Sequence, residues 1–496
     1  MNTGLSKSKY VTFCNCPKAL WLRTYKPDVE VIDSGVEGRF ETGNKVGDLA
    51  MQYFGDFVEV TTIDDNGKLD LTAMIKKTQD ELAKGTPVIC EASFAFDGNY
   101  CAVDILKKNE DGYDIYEVKS STKIEKDVYY KDIAYQKWLL EKCGLKINNV
   151  YLMNINNEYI FDGTLNIQEF FKTTLLNKEV EEYYKVVDKN VADAKKVLSN
   201  NSEPKCPVGD YCFSPYNCGF FKYCTGGLEY PNVFNLFTSS KAIKYYNDGI
   251  KTYNQLKDEK LNDNQKKELE AELYNKEFID KQKIKEFLDS LKYPLYFLDF
   301  ETMQLVIPEF VGTHPYQQIA FQYSLHILDK PNGTLTHKEY LGESGKNPME
   351  GLAKQLCEDI TEDSTVLVYN DVFEKGRLKD MAGLFPTYSE RLLKIRENIL
   401  DLMVPFRSKH YYTKDMQGSY SIKYVLPALF PNDPTLDYHN LEGDVHNGGE
   451  AMDLFPKIKD MSKEDQEKAR KDLLKYCELD TYAMVKVLEK LYEVVE

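Results

Sequence analysis

The run Leu295-Tyr296-Phe297-Leu298-Asp299-Phe300-Glu301-Thr302-Met303 constrains this chain more than any other. It is apolar and rich in β-formers, and as a strand of period two it sets Asp299 and Glu301 on one face. Two carboxylates so close at the end of a buried strand repel each other and resist ionising. Either they meet solvent at an acidic turn, or a cation holds them together. Near the C-terminus, in a helix-like pattern, Tyr476 and Asp480 lie four apart and share one helical face.

A chain of 496 residues has room for two or three domains, each with its own core. No apolar run reaches the length of a membrane span and no signal-peptide core opens the chain, which predicts a cytoplasmic protein with no membrane partner. In that compartment the 11 cysteines do not predict a disulfide framework; a local cluster of them reads as a metal site. The net charge of −17 argues against nonspecific nucleic-acid binding by the chain as a whole, yet the first 27 residues carry Lys7, Lys9, Lys18, Arg23 and Lys26 and no acid. An acidic metal centre beside a basic groove is compatible with a nuclease. All six histidines lie at or after His314, so chemistry in the first half runs without imidazole.

Taken in order, Ser6 caps a first helix that Pro17 restarts, and helical patterns follow over residues 38–54 and 71–84. Three β-rich runs, separated by Asp97-Gly98 and Asp111-Gly112, then predict an antiparallel meander, followed by a helix over 127–143 and another strand. The meander carries Glu91, Asp104, Glu117 and Lys119. Asp104 and Glu117 can converge on one divalent ion, with Lys119 on the same face as Glu117 to steady a phosphate or a water. The competing reading is a salt-bridged sheet edge in which Lys119 merely pairs with Glu117. Val103-Asp104, Glu117-Val118-Lys119 and Tyr135-Gln136 resemble the motifs of PD-(D/E)XK nucleases of the RecB type. That resemblance implies catalytic roles for Glu91, Asp104, Glu117, Lys119 and Gln136, with Asp104 and Glu117 as ligands of Mg²⁺ or Mn²⁺. Gly47 stands where the family commonly has a metal-binding His, which implies either lower metal affinity and a catalytically weak first half or compensation by Asp48 or Glu91.

After a helical pattern over 167–198, Cys206, Cys212, Cys218 and Cys224 recur every six residues, a density that suits Zn²⁺ or an iron-sulfur cluster. The helix ending in Cys16-Pro17 resembles the iron-sulfur subgroup of RecB-type nucleases, which includes AddB and the CRISPR-adaptation exonucleases. The resemblance implies a 4Fe-4S cluster on Cys16, Cys212, Cys218 and Cys224, with Zn²⁺ as the alternative and Cys206 and Cys14 left over. Cys90, Cys101, Cys143, Cys357 and Cys477 have no partners at ligand spacing and read as core or incidental.

Residues 230–291 read as a polar helical connector of mixed charge. The order that follows is strand, strand, strand, helix, strand, helix, the order of the ribonuclease H-like fold. Asp299 and Glu301, then Glu374 just after Asn370, then Tyr476 and Asp480 resemble the motifs of DnaQ-like exonucleases of the DEDD superfamily, in the subgroup marked by Tyr-x-x-x-Asp. Glu374 stands where that family usually has Asp. The resemblance implies metal binding by Asp299, Glu301, Glu374 and Asp480, and a catalytic role for Tyr476. The whole chain resembles an uncharacterised bacterial family that joins the two nuclease types. The expected architecture is therefore α/β, with a RecB-like nuclease domain over residues 1–229, a connector over 230–291 and a DnaQ-like exonuclease domain over 292–496. The expected activity is metal-dependent hydrolysis of phosphodiester bonds in DNA, with the choice between DNA and RNA left open, in processing, repair or defence. The alternative is a nucleic-acid-binding scaffold that keeps both folds without the chemistry. Protein partners are not legible.

Overall fold

The computed structural model describes residues 4–32 and 36–496, and in it the chain is mixed α/β with two compact units: Met1–Leu228 with Val306–Pro315, and Glu229–Leu305 with Tyr316–Glu496. Residues 230–291 thus belong to the second unit. Among the described residues no helix is long and apolar enough to cross a membrane.

The first unit is organised by a seven-stranded sheet. Its strands are β1 (Leu5–Ser6), β2 (Val58–Glu59), β3 (Val88–Phe96), β4 (Asn99–Asn109), β5 (Gly112–Lys119), β6 (Ile147–Ile155) and β7 (Phe171–Leu175). They are ordered β2-β3-β4-β5-β6-β7, with β1 parallel to β4. The meander β3-β4-β5 is antiparallel, and β6 runs parallel to β5 after a crossover through the helix Lys126–Lys142. Both residues of the Asp97-Gly98 turn are left-handed, at φ 48° and 72°, which matches strand twist in a two-residue hairpin. Gly112 has a different role: a Cβ there would lie 2.6 Å from the Lys146 carbonyl oxygen, so only glycine lets the strands approach. The helix Lys126–Lys142 buries Tyr130, Ile133, Ala134 and Leu140 in one core with Ile115 and Leu152 of the sheet.

The helical pattern over 167–198 is interrupted. A single turn, Ile167–Phe170, leads into β7, an edge strand antiparallel to β6, before the helices Asn177–Tyr184 and Val187–Ser199. Phe171, Thr173 and Thr174 are β-formers, and the open edge of β6 supplies hydrogen bonds that a helix would otherwise make.

In the second unit β8 (Phe278–Ile279) pairs with β14 (Tyr411–Tyr412). The main sheet holds β9 (Leu295–Gln304), β10 (Gln318–Leu328), β11 (Leu335–Leu341), β12 (Val366–Val368) and β13 (Ile399–Asp401), ordered β11-β10-β9-β12-β13. The first three strands are antiparallel, while β12 and β13 run parallel to β9. Only helices are legible in the sequence after residue 373; β13 is three residues long, too short for periodicity to reveal. The helix Lys463–Val495 packs Ala483, Met484, Val487, Leu488 and Leu491 into a core with Leu295 and Phe297 of β9. Each fully buried Leu or Phe of this kind contributes about 1.5–3 kcal/mol, so the helix that carries Tyr476 and Asp480 is anchored by its own apolar stripe.

Candidate metal centres

In the first unit the register of the meander builds a row of carboxylates. Cys90 pairs with Ile105 and Ala92 with Val103, which sets Glu91 opposite Asp104; Ile105 pairs with Tyr116, and the next step sets Asp104 opposite Glu117. The ladder opens at this step, and Asp104 Oδ2 accepts a 2.6 Å hydrogen bond from the Val118 amide. Glu91 has φ 56°, a region that non-glycine residues rarely occupy and that concentrates at functional sites. Glu117 is wholly buried and tightly held: Lys7 Nζ donates to both its oxygens at 3.2 Å, Gln136 Nε2 donates to Oε2 at 2.6 Å, and Lys119 donates to Oε1. Lys119 also donates to Asp132 Oδ2 at 3.2 Å, and Gln136 to Asp132 Oδ1 at 3.0 Å.

Each shift in acidity has a local cause. Burial and the charge of Asp104 push Glu91 up to about 8, and burial and Glu117 push Asp104 up to about 6. Burial acts the same way on Glu117, but Lys119 and Lys7 outweigh it and hold that carboxyl well below the usual range. Burial would depress Lys119, and the charges of Glu117 and Asp132 reverse the effect and keep it protonated. Glu91, Asp104 and Lys119 line a cleft of about 690 Å³ together with Gly47, Asp48 and Glu59. A Cβ at Gly47 would meet nothing within 4 Å, so the space for a longer side chain is open. Gly47→His is therefore expected to tighten Mn²⁺ binding to this unit by about 10-fold or more, at least the scale on which one outer-shell partner of a metal ligand is felt. Calorimetric titration of the two proteins checks it.

Lys7 and Asp132 were not legible as site residues. Lys7 arrives because β1 pairs with β4, an association that spacing does not reveal. Asp132 had a signal, since it precedes Gln136 by one helical turn on the same face.

Five cysteines, Cys16, Cys206, Cys212, Cys218 and Cys224, line one small apolar cavity with Leu22, Val208 and Phe220. Cys206, left over in the sequence reading, is thus in the same lining as the four proposed ligands. Burial, with Cys206 and Cys218 alongside, pushes the Cys16 thiol up to about 12, against the opposing hydrogen bonds of the Ala19 and Lys18 amides. Thiols crowded into a greasy cavity gain most from a cation that accepts them as thiolates. Cys218 donates its amide to the Cys212 carbonyl at 2.9 Å, which fixes the loop between them. If a 4Fe-4S cluster fills this cavity, protein purified without oxygen is expected to be brown, to contain iron and sulfide, and to lose stability of the first unit on Cys212→Ala. A colourless, zinc-loaded protein would refute the cluster.

In the second unit three elements converge. β9 supplies Asp299 and the buried Glu301; the turn after β12 starts the helix Asp371–Leu384, which buries Glu374; the long helix brings Tyr476, Cys477 and Asp480. Ligand atoms of Asp299, Glu301 and Cys477 lie within 4.8 Å of one another. Cys477 is buried, as the sequence reading expects, and its thiol also lies 3.6 Å from Asp299 Oδ2. Tyr438, which the sequence did not single out, donates to Asp480 Oδ1 at 2.6 Å, and Tyr476 also bonds this carboxylate. The glycine at the head of the helix Gly448–Leu454 abuts Glu301, where a Cβ would lie 3.5 Å from Oε2.

Burial, then mutual repulsion, raises Asp299, Glu301 and Glu374 well above ordinary carboxylates. Burial pushes Asp480 up to about 6, with the two tyrosines and Lys423 working against it. Among the described residues none of these four carboxylates makes an ion pair within 4 Å, and Glu374 Oε2 is buried without a hydrogen-bond partner. Such a set suits a hard divalent cation, which would satisfy the orphaned oxygen and relieve the repulsion.

The pH dependence has a definite sign. Glu91 near 8, and Asp104 and Asp480 near 6, lie above their unfolded values, so the metal-free folded state keeps protons that the unfolded chain has lost. Their stabilising contribution is complete below about pH 4 and is lost as pH rises through about 6 and then 8. In chelator the protein is expected to melt at a lower temperature near pH 8 than near pH 5, with Mg²⁺ or Mn²⁺ narrowing the gap. A melting curve at each pH with and without metal checks it.

The family comparison falls on the carboxylate cluster of the second unit. A family model described as "Domain of unknown function (DUF2779)" matches residues 296–421, which include Asp299, Glu301 and Glu374 but not Tyr476 or Asp480. The chain is also similar to the uncharacterized protein MG366 of Mycoplasma genitalium, at 27% identity over 237 residues, 44% of this chain and 35% of that one. It thus spans about a third of the length of this relative. No solved structure matches the chain.

Proposed function

We propose that the protein is a metal-dependent nuclease whose principal site is the carboxylate cluster of the second unit, in a ribonuclease H-like domain of the DnaQ type, with a second site in a RecB-like first unit. The observation that carries the reading is the unpaired state of that cluster: Asp299, Glu301, Glu374 and Asp480 gather from three elements with no cationic side chain bonded to any of them among the described residues. Four such charges are untenable in a buried site unless protonated or bound to metal. Asp299, Glu301, Glu374 and Asp480 would hold Mg²⁺ or Mn²⁺, which supplies positive charge against the negative charge that builds at a phosphodiester under attack.

The chain's own groups do the rest. Tyr438 orients Asp480 through its 2.6 Å hydrogen bond, and Tyr476, one turn before Asp480, sets a hydroxyl beside the same carboxylate where it can hold an attacking water. Lys423 acts electrostatically on both Glu301 and Asp480 and lines a neighbouring cleft of about 510 Å³, which suits it to attract a phosphate.

The first unit supports two readings. Its row Glu91, Asp104 and Glu117 with Lys119 suits phosphodiester hydrolysis, yet Glu117 already has Lys7, Lys119 and Gln136 on its oxygens. This internal neutralisation favours a weaker site, or a half that binds nucleic acid without cleaving it. The test is incubation of the pure protein with labelled single- and double-stranded DNA and with RNA, in Mg²⁺ or Mn²⁺ and then in chelator. Cleavage that needs metal is expected; binding without cleavage of any substrate would overturn the enzymatic reading.

A further inference from the structure

The helix Lys463–Val495 carries Tyr476 and Asp480 on one flank, Cys477 and Thr481 toward the sheet, and Glu478 and Tyr482 on the opposite flank. On that opposite flank stand the only two histidines that face each other among the described residues. His326 of β10 and His337 of β11 are direct cross-strand partners, with ring centroids 4.5 Å apart. Ligand atoms of His326, His337 and Glu478 lie within 4.8 Å of one another.

One arrangement of protons makes every contact around them a hydrogen bond at once. Thr481 has one hydroxyl proton and gives it to the Glu478 carbonyl at 3.1 Å, an oxygen that can only accept. In that arrangement Ser324 Oγ, at 2.6 Å, and His326 Nδ1, at 2.8 Å, both donate to Thr481 Oγ1. That uses the single proton of Ser324, so His337 Nε2, 2.8 Å from Ser324 Oγ, donates in turn. Both imidazoles are left with a bare nitrogen, Nε2 on His326 and Nδ1 on His337, and the latter lies 3.8 Å from Glu478 Oε1. Two imidazoles and a carboxylate whose ligand atoms crowd within 4.8 Å repel one another unless a proton on His337 or a bound cation stands between them, and only the cation can engage all three at once. The backing hydroxyls of Ser324 and Thr481 are both buried, and such a shell fixes the tautomers of metal-binding histidines.

We propose that His326, His337 and Glu478 bind one divalent transition-metal ion of the zinc class. Two imidazoles and one carboxylate favour Zn²⁺, Co²⁺ or Ni²⁺ over Mg²⁺, which prefers oxygen ligands. His326 and Glu478 also line a cleft of about 540 Å³ with Lys475 and Tyr482, so further coordination positions are open to water. The ion joins β10 and the edge strand β11 to the long helix, on the flank away from Asp480. It is separate from the carboxylate cluster in ligands and in the metal it takes.

The test uses the full chain as isolated, with excess Mg²⁺ present so that oxygen-ligand sites are filled, and Zn²⁺ as the probe. Calorimetry and metal analysis are expected to find one more Zn²⁺ per chain in the parent than in His337→Asn, and affinity reduced about 10- to 100-fold in Glu478→Gln. Zn²⁺ at about a hundredfold excess over Kd is expected to raise the melting temperature of the parent by about 5–10 °C, and that of His337→Asn by much less. Melting curves in chelator verify that each variant folds, and the exposed Glu478 offers a variant that leaves the buried network intact. Equal Zn²⁺ stoichiometry and equal melting shifts in the parent and both variants would overturn the site.

Discussion

Asp299→Asn is expected to lower cleavage by the second unit about 10³-fold or more, the scale on which loss of one preorganised charge-stabilising group is felt. Asp299 lies within reach of Glu301 and Cys477, and its charge acts on Glu374, so a neutral amide there removes the centre of the cluster. Lys119→Ala in the first unit is expected to remove only part of the total activity, and the double variant all of it, since the two sites share no residue. Lys119→Ala also leaves the buried Glu117 and Asp132 with fewer cationic partners, a loss of about 3–5 kcal/mol when a buried pair is broken, so its melting temperature must be measured beside its rate. Full activity in a folded Lys119→Ala protein would mark the first unit as structural. Complete loss in either single variant would mean that the halves act in series.

Tyr476→Phe is expected to reduce turnover of the second unit about 10²-fold while leaving metal affinity nearly unchanged. The substitution keeps the ring, which is buried beside that of Tyr438 at a centroid distance of 6.1 Å, and deletes only the hydroxyl that bonds Asp480. Burial and the charge of Asp480 hold this phenol far above its ordinary pKa, so it acts as a neutral donor at every working pH. Asp480→Asn, by contrast, is expected to weaken metal binding itself. Turnover measured across a Mn²⁺ titration in a Lys119→Ala background separates the cases. An unchanged maximal rate in Tyr476→Phe would remove the hydroxyl from the mechanism, and a shift only in the metal concentration required would make it part of the ligand shell.

Local pattern was enough for much of this. The helix Leu71–Lys84, with Asp70 as its cap and Gly85 left-handed at its end, is legible because its stop signals are intrinsic to those residues. The period-two alternation of β9 places Asp299 with Glu301, and the four-residue interval joins Tyr476 to Asp480 on one helical face, because both depend only on backbone repeat. Residues that reach a site from a distant element leave no such trace. Lys7 meets Glu117 across 110 positions, Tyr438 meets Asp480 across 42, and His326 meets Thr481 across 155. β7 and β13 formed because open sheet edges offered them hydrogen bonds, overriding the patterns around them. By itself the sequence determined the period of each long element and which carboxylates share a face; tertiary structure alone decided which charges are neutralised from within and which are left for a cation, because pairing depends on distances between elements that backbone periodicity does not set.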